Sequence, residues 1–449
     1  MTRLLTSLLL ASLPVAPAVA QADPVQKALG DAADLSAPGC ALGIYRNGRL
    51  ARFASAGAAD IATGRPMTAD TQFYAASVSK QFTTLAVMQL VEKGKLRLDD
   101  DIRRYLPELP DYGHKISVQM LTNHTAGIRD SLELLSFSGQ GDVAAATRAQ
   151  ALKLTLAQTA TKFEPGTRYD YSNGGYLLLS EIVERVSGEP FAAYVNRAVL
   201  KPIGMTRSFI MDGARSKDAN IARGTASVDG KAVPADSYPL FGGSGGLITT
   251  INDLAKYDRD IDSGHKVWTP AIRKLMLEPG HFNDGRVVRR AERSNQAYAA
   301  GLTVGPHWFG HTGGARGFKT MYARLPEKRI GLGLLCNDGA IEPDRHLDSI
   351  VTAMQEGLPP LVPPAGNLLA DGAYRSPDLD VIYMLATGGE ALTLSILPAG
   401  GAGAPLTSIV LKQTPEGYVG PGIRLVPDAD GAGFALNGSR VTLNFRKAG

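Results

Sequence analysis

The sequence predicts an α+β protein followed by a small all-β C-terminal domain, an antiparallel barrel or sandwich. Three observations predict it. A hairpin signal opens the chain at Asn47-Gly48, between Cys40-Ala-Leu-Gly-Ile-Tyr45 and Arg49-Leu-Ala-Arg-Phe53. Long apolar helical segments and further strand patterns fill the middle. Beyond the Pro-rich stretch Gly357-Leu-Pro-Pro-Leu-Val-Pro-Pro364 come short alternating strands, such as Leu392, Leu394 and Ile396, set between Gly388-Gly389, Asp430-Gly431 and Asn437-Gly438 turns.

The first residues read as a secretory signal peptide. Arg3 is followed by a short apolar run, and Ala18-Val19-Ala20 offers a small-x-small cleavage site. The run is too short to span a bilayer. The expected divisions are therefore a signal peptide at 1–20, a catalytic domain at 21–357, a linker at 358–364 and the β domain at 365–449. Export to the periplasm or medium follows, with no membrane span.

The net charge of +4 over 449 residues, with no basic stripe, argues against nucleic acid as a partner. Seven histidines lack metal-ligand spacing, and no Gly-rich phosphate loop with its Lys appears. No metal or other cofactor is expected. Cys40 and Cys336 read as two buried free thiols in strands, although export would permit a bridge.

The residues that carry chemistry begin at Ser77-Val78-Ser79-Lys80. A helix starting at Ser77 would put serine and lysine on one face, one turn apart. The apolar run Leu85 to Val91 suits a buried helix, which Gly94 would cap. An ammonium removed from water tends to lose its proton and can then serve a hydroxyl as base. The pattern is weak alone, and Ser263-Gly264-His265-Lys266 repeats it. That copy has no apolar helix after it and reads as a solvated loop.

Phe163-Glu-Pro-Gly166 is a turn, after which Tyr169-Asp-Tyr171-Ser-Asn173 opens a helix closed by Gly188. Tyr194-Val-Asn196 and Tyr45-Arg-Asn47 repeat the Tyr-x-Asn spelling inside regular elements. Tyr171 sits instead on a loop, where side chains can point at a ligand. Gly242-Gly-Ser-Gly-Gly246 spells a nucleophile elbow, but Leu247 to Ile251 separates it from the next helix, so it reads as close-packed or flexible backbone. Residues 299–304, 318–324 and 329–335 read as three strands, with Trp308-Phe-Gly-His311-Thr312-Gly313-Gly314 between the first two. A helix over roughly 344–356 would close the domain.

Ser77-x-x-Lys80, Tyr171-x-Asn173 and His311-Thr-Gly313, in that order, resemble the serine β-lactamase and penicillin-binding-protein superfamily. Within it the resemblance is to the class C-like branch of DD-carboxypeptidases, D-aminopeptidases, amidases and esterases. Asn123-His-Thr-Ala-Gly127 and Gly245-Gly-Leu247 before Asp253 add to it. The resemblance covers about 37–355 and leaves the tail unassigned. It implies a five-stranded antiparallel sheet flanked by helices, plus a helical lobe, with the site between. Cys40 and Cys336 could come close in such a sheet.

The resemblance also implies roles. Ser77 is the nucleophile, with Lys80 and Tyr171 sharing its proton. Asn173, His311, Thr312, Gly313 and Gly314 support the substrate, and the N–H groups of Ser77 and Gly314 are candidate oxyanion donors. Which of Lys80 and Tyr171 is the base stays open. A cationic field from Lys80, with His311 adding to it, is expected to lower the Tyr171 phenol. Histidine at 311, where many β-lactamases carry lysine, resembles DD-carboxypeptidases and D-aminopeptidases. A peptidase or amidase for D-residue substrates is the first expectation, and a carboxylesterase or class C-like β-lactamase the second. A slowly deacylating sensor or cell-wall binding protein is the non-enzymatic alternative. The substrate is a small molecule or peptide, and the oligomeric state is not fixed.

Overall fold

The computed structural model describes residues 24–140, 142–213, 220–290, 295–343 and, in the tail, 369–377, 379–388, 391–401, 403–414, 417–420, 423–428, 432–437 and 442–448. The expected signal peptide, linker and 344–356 helix lie outside them.

Seven strands make the main antiparallel sheet: β1 (Cys40–Arg46), β2 (Arg49–Ala56), β3 (Ala297–Tyr298), β4 (Thr303–Val304), β5 (Phe309–Ala315), β6 (Phe318–Leu325) and β7 (Ile330–Cys336), in spatial order β3-β4-β5-β6-β7-β1-β2. Five are long, and the two-residue strands β3 and β4 add an edge to the five expected. The strand expected over 299–304 is interrupted: Gly301 takes φ +70, and only Thr303–Val304 pairs with β5. Asn47 and Gly48 both take positive φ in the turn that joins β1 to β2, as a two-residue hairpin requires.

Cys40 and Cys336 stand directly opposite each other on β1 and β7 and are bridged, against the expectation of free thiols. Strand pattern alone gives no cross-strand register, so the sequence could not fix their adjacency.

Helix α1 (Ser79–Glu92) is buried along nearly its whole length, and Gly94 follows it at φ +66. It packs against α4 (Asn173–Ser187), whose N-cap is Ser172 and which Gly188 ends at φ +75. Two shorter helices, α2 (Val118–Thr122) and α3 (Ser131–Phe137), flank the loop that carries His124 and Asp130. Helix α5 (Ile251–Arg259) lies on β1, β2 and β7. There Asp258 receives Tyr322 and Arg324, while Arg324 and Arg329 also pair with Asp262. A buried arginine without such partners would be prohibitive.

In the tail, eight strands from Gly372–Arg375 to Thr442–Lys447 pair in sequence, and the last closes on the first. The small β domain is thus a closed barrel, filled by Tyr374, Tyr383, Leu392, Leu394, Leu411, Leu425, Phe434 and Phe445. Among the described residues no helix is long and apolar enough to cross a membrane.

Candidate active site

Ser77 lies on a 3-10 turn, Ala76–Val78, and the α-helix starts at Ser79 rather than at Ser77. The turn comes first because Ala76 takes φ +47, a left-handed conformation that no helix interior accepts. Two bonds hold it. The Ser79 hydroxyl donates to the Ala76 carbonyl at 2.6 Å and accepts the Leu247 N–H at 3.0 Å. Thr320 on β6 donates to the Ala75 carbonyl at 2.7 Å. The three-residue spacing still brings Lys80 back to the serine: Nζ is 3.2 Å from Ser77 Oγ.

Lys80 has no solvent exposure. Its Nζ also donates to Asn173 Oδ1 at 2.9 Å and to the Ser244 carbonyl at 2.8 Å, and it lies 4.7 Å from the Tyr171 ring centroid. Burial lowers its pKa from 10.5 to about 7, with the Asp130 carboxylate opposing that shift. Around neutrality this lysine is therefore a base rather than a fixed cation.

Asn173 is oriented by Asp130. One carboxylate oxygen accepts both the Asn173 N–H at 2.7 Å and its Nδ2 at 2.8 Å, which turns Oδ1 toward Lys80. The other oxygen caps α3 through the N–H groups of Leu132 and Glu133. Asp130 therefore ties a helix start to the site. Its sequence signal was an aspartate ahead of an apolar segment, which reads as a cap and nothing more.

Tyr171 is half-buried on the loop before α4, with the His124 ring 4.2 Å from its own. Burial raises its phenol well above the usual value, although the nearby Ser77 hydroxyl and the Arg290 charge oppose this. The expected lowering by nearby cations is overturned, because desolvation dominates. His311, on β5, is held down to about 3 by burial and by Lys80, so it is neutral and adds no cationic field. Arg290 was not foreseen. It is an exposed residue in a loop, yet its charge reaches Tyr169, Tyr171, Tyr298, His124 and His311.

Thr312, Gly313 and Gly314 continue β5 past Ser77. A Cβ on Gly313 would fall 2.4 Å from the Ala75 carbonyl oxygen and 3.1 Å from the Ser77 nitrogen, so only glycine lets the strand run this close. Gly314 is exposed at the same edge. Ser77, Lys80, Tyr171, Asn173, His311 and Gly313 are thus brought together.

The other candidates lie apart from it or serve it through backbone. Gly242 to Gly246 pack against α1 and Tyr74: Gly243 accepts from Thr83, Ser244 lends its carbonyl to Lys80, and a Cβ on Gly245 would meet Tyr74 Oη. Ser263 and Lys266 are exposed around a short π-helical turn. Tyr45 and Tyr194 are buried in packing.

Residues 25–354 match the family model described as Beta-lactamase. A D-aminopeptidase of Brucella anthropi is 28% identical over 297 residues, which are 65% of this chain and 55% of that protein, so the chain spans little more than half the relative's length. Two solved structures share the fold. The octameric penicillin-binding protein homologue from Pyrococcus abyssi has TM-score 0.62 and 22% identity, covering 91% of this chain and 96% of the other. D-amino acid amidase from Ochrobactrum anthropi SV3, complexed with L-phenylalanine amide, has TM-score 0.60 and 23% identity, covering 74% and 97%. With a serine, a buried lysine and a tyrosine gathered at the edge of an antiparallel sheet, and a family match over most of its length, the chain belongs to the Beta-lactamase family.

Proposed function

We propose that this protein is an exported serine hydrolase that works through an acyl-enzyme on Ser77, with amides or peptides of D-amino acids as its substrates. The single observation that carries the chemistry is Lys80 Nζ, fully buried, its pKa lowered to about 7, and in contact with Ser77 Oγ. A nucleophile touching an adjacent base, itself oriented by a third group, is the pattern that activates a hydroxyl.

Neutral Lys80 takes the Ser77 proton as Oγ attacks the substrate carbonyl carbon. The negative charge that develops on the carbonyl oxygen falls to backbone N–H donors at Ser77 and Gly314, where the β5 edge passes the nucleophile. Tyr171, kept protonated by burial, delivers a proton to the leaving nitrogen and recovers one from the Lys80 ammonium. The C–N bond breaks and the acyl group stays on Ser77. Water then attacks the acyl carbon, losing its proton to Lys80, and Ser77 is released when its oxygen is reprotonated. Asn173 keeps Lys80 in place through both steps.

The D-residue preference rests on the similarity to the D-aminopeptidase and on histidine, rather than a fixed cation, at position 311. Export rests on the N-terminal segment and on the Cys40–Cys336 bridge, which suits an oxidising compartment.

The test is hydrolysis of D-alanine p-nitroanilide beside its L-isomer by wild type and Ser77→Ala. Turnover of the D-isomer alone, lost in the variant, is expected. Equal turnover of both isomers would remove the stereochemical reading. Turnover that survives in Ser77→Ala would remove Ser77 as nucleophile. No turnover of either would direct attention to short-chain esters and a chromogenic cephalosporin.

A further inference from the structure

Behind the β5 edge lies a hydrogen-bonded chain that acyl transfer does not use. The Ser172 N–H donates to His124 Nδ1 at 3.1 Å. That nitrogen therefore carries no proton, and the neutral ring must hold its proton on Nε2, which faces Tyr298 Oη at 3.1 Å. At the far end, His311 Nδ1 lies against the Thr312 carbonyl, which can only accept, so this nitrogen must carry a proton. Tyr298 Oη is 2.9 Å from His311 Nε2. Having accepted from His124, the Tyr298 hydroxyl donates its single proton to His311.

A backbone donor at one end and a backbone acceptor at the other thus fix every proton between them: Ser172 to His124 to Tyr298 to His311 to Thr312. All three side chains are almost wholly buried, so water has little access to complete the bonds otherwise. His124 reaches this geometry only by adopting φ +62, a left-handed backbone uncommon for a residue with a side chain.

We propose that this one-way chain locks His311 as the neutral Nδ1–H tautomer, and that His124 and Tyr298 are positioning residues that hold the Thr312–Gly314 edge against Ser77. Free histidine favours the opposite tautomer, so the lock has a signature. The groups facing the His311 ring support neutrality. Lys80 from α1 and Arg290 from the loop before β3 both oppose a positive charge there, and burial adds to their effect. Tyr171, Tyr298 and Tyr322, the cross-strand partner of His311, are uncharged phenols whose ionisation burial suppresses. His124 is held neutral by burial and by the same cations.

One competing arrangement exists. Tyr176, which sends its own proton to the Thr122 carbonyl at 2.7 Å, could accept from Tyr298 if His311 were a cation. The two arrangements differ in the charge of His311. In the locked state His311 offers a substrate carboxylate neither a charge nor a free donor. This deepens the proposed preference for uncharged amides and rests on that reading in this one respect.

The experiment uses the whole chain labelled with ¹⁵N-histidine. Long-range ¹H–¹⁵N correlation is recorded from pH 5 to 9 for wild type and Tyr298→Phe, and His311→Gln identifies the His311 signals among seven histidines. His311 is expected as neutral Nδ1–H throughout, and His124 as Nε2–H. In Tyr298→Phe, His311 Nδ1 still meets the Thr312 carbonyl but Nε2 loses its donor, so the Nε2 signal should move to that of an imine nitrogen without a hydrogen bond, and labelling of Ser77 by a serine-directed phosphonate should slow about tenfold. His124→Gln, which can still donate to Tyr298, should keep the tautomer and label faster than His124→Leu. A cationic or Nε2–H His311 in wild type would overturn the proposal. So would a Tyr298→Phe spectrum and labelling rate unchanged from wild type, or equal rates for the two His124 variants. The spectra need no substrate, so failure of the D-amide reading would leave them intact.

Discussion

Replacing Lys80 by methionine should disable the enzyme and make its stability less dependent on pH. Burial takes the lysine from 10.5 to about 7, which corresponds to about 5 kcal/mol of fold destabilisation at neutral pH. Methionine keeps the apolar stem and removes that cost. It also leaves Asn173 Oδ1 and the Ser244 carbonyl without a donor, at about 1–3 kcal/mol each. The two effects nearly offset at pH 7, so the pH dependence is the sharper quantity. Below about 7 both folded and unfolded lysine are charged and the penalty is constant. Between 7 and 10.5 only the unfolded chain holds the extra proton, so wild-type stability rises with pH by about 1.4 kcal/mol per unit, and Lys80→Met lacks this slope. Wild type should therefore gain about 2 kcal/mol on the variant between pH 7.5 and 9. Urea unfolding followed by tryptophan fluorescence measures it, because Trp268 and Trp308 are the only tryptophans and both precede the barrel. A difference that stays flat over this range would refute the near-neutral lysine and the base assigned to it.

The same lysine sets the rate profile: kcat/KM should rise with pH through about 7 and level off, as neutral Lys80 becomes available. Asp130→Asn removes the charge that favours the ammonium, so this rising limb should move to lower pH while kcat falls. A limb that does not move would exclude the Asp130–Lys80 coupling. Gly313→Ala should lower kcat about a hundredfold with the circular dichroism spectrum unchanged, because its Cβ would displace the strand from Ser77. An active Gly313→Ala would show that the close approach does not matter. Cys40→Ala/Cys336→Ala should lose about 2–5 kcal/mol in the same urea assay, since the bridge closes a separation of 296 residues. No loss would mean that the sheet alone holds these strands.

That Ser77, Lys80, Tyr171 and Asn173 gather was legible because each stands at the start of a helix or on its approach, where spacing along the chain translates directly into a shared face. The first hairpin was legible for a similar local reason, with Asn47-Gly48 tolerating the positive φ that its turn needs. What escaped was set by pairing between distant segments. The Cys40–Cys336 contact depends on the register of β1 with β7. Asp130 holds Asn173 across 43 residues, and Arg290 reaches Tyr169 from a loop with no periodic signal. The sign of the Tyr171 shift escaped for another reason: sequence revealed the neighbouring lysine but not the depth of burial, and desolvation outweighs the cation. His124 combines both limits. Its place in the Asn123-His-Thr-Ala-Gly127 segment was visible, but its role follows from a left-handed backbone and from bonds to Ser172 and Tyr298, residues 48 and 174 positions away. The groups of the candidate site are therefore written in local motifs, whereas their protonation states are written in the tertiary structure. A variant outside every motif, such as Asp130→Asn or Tyr298→Phe, should accordingly change the pH behaviour or hydrogen bonding of this site while leaving its motifs intact.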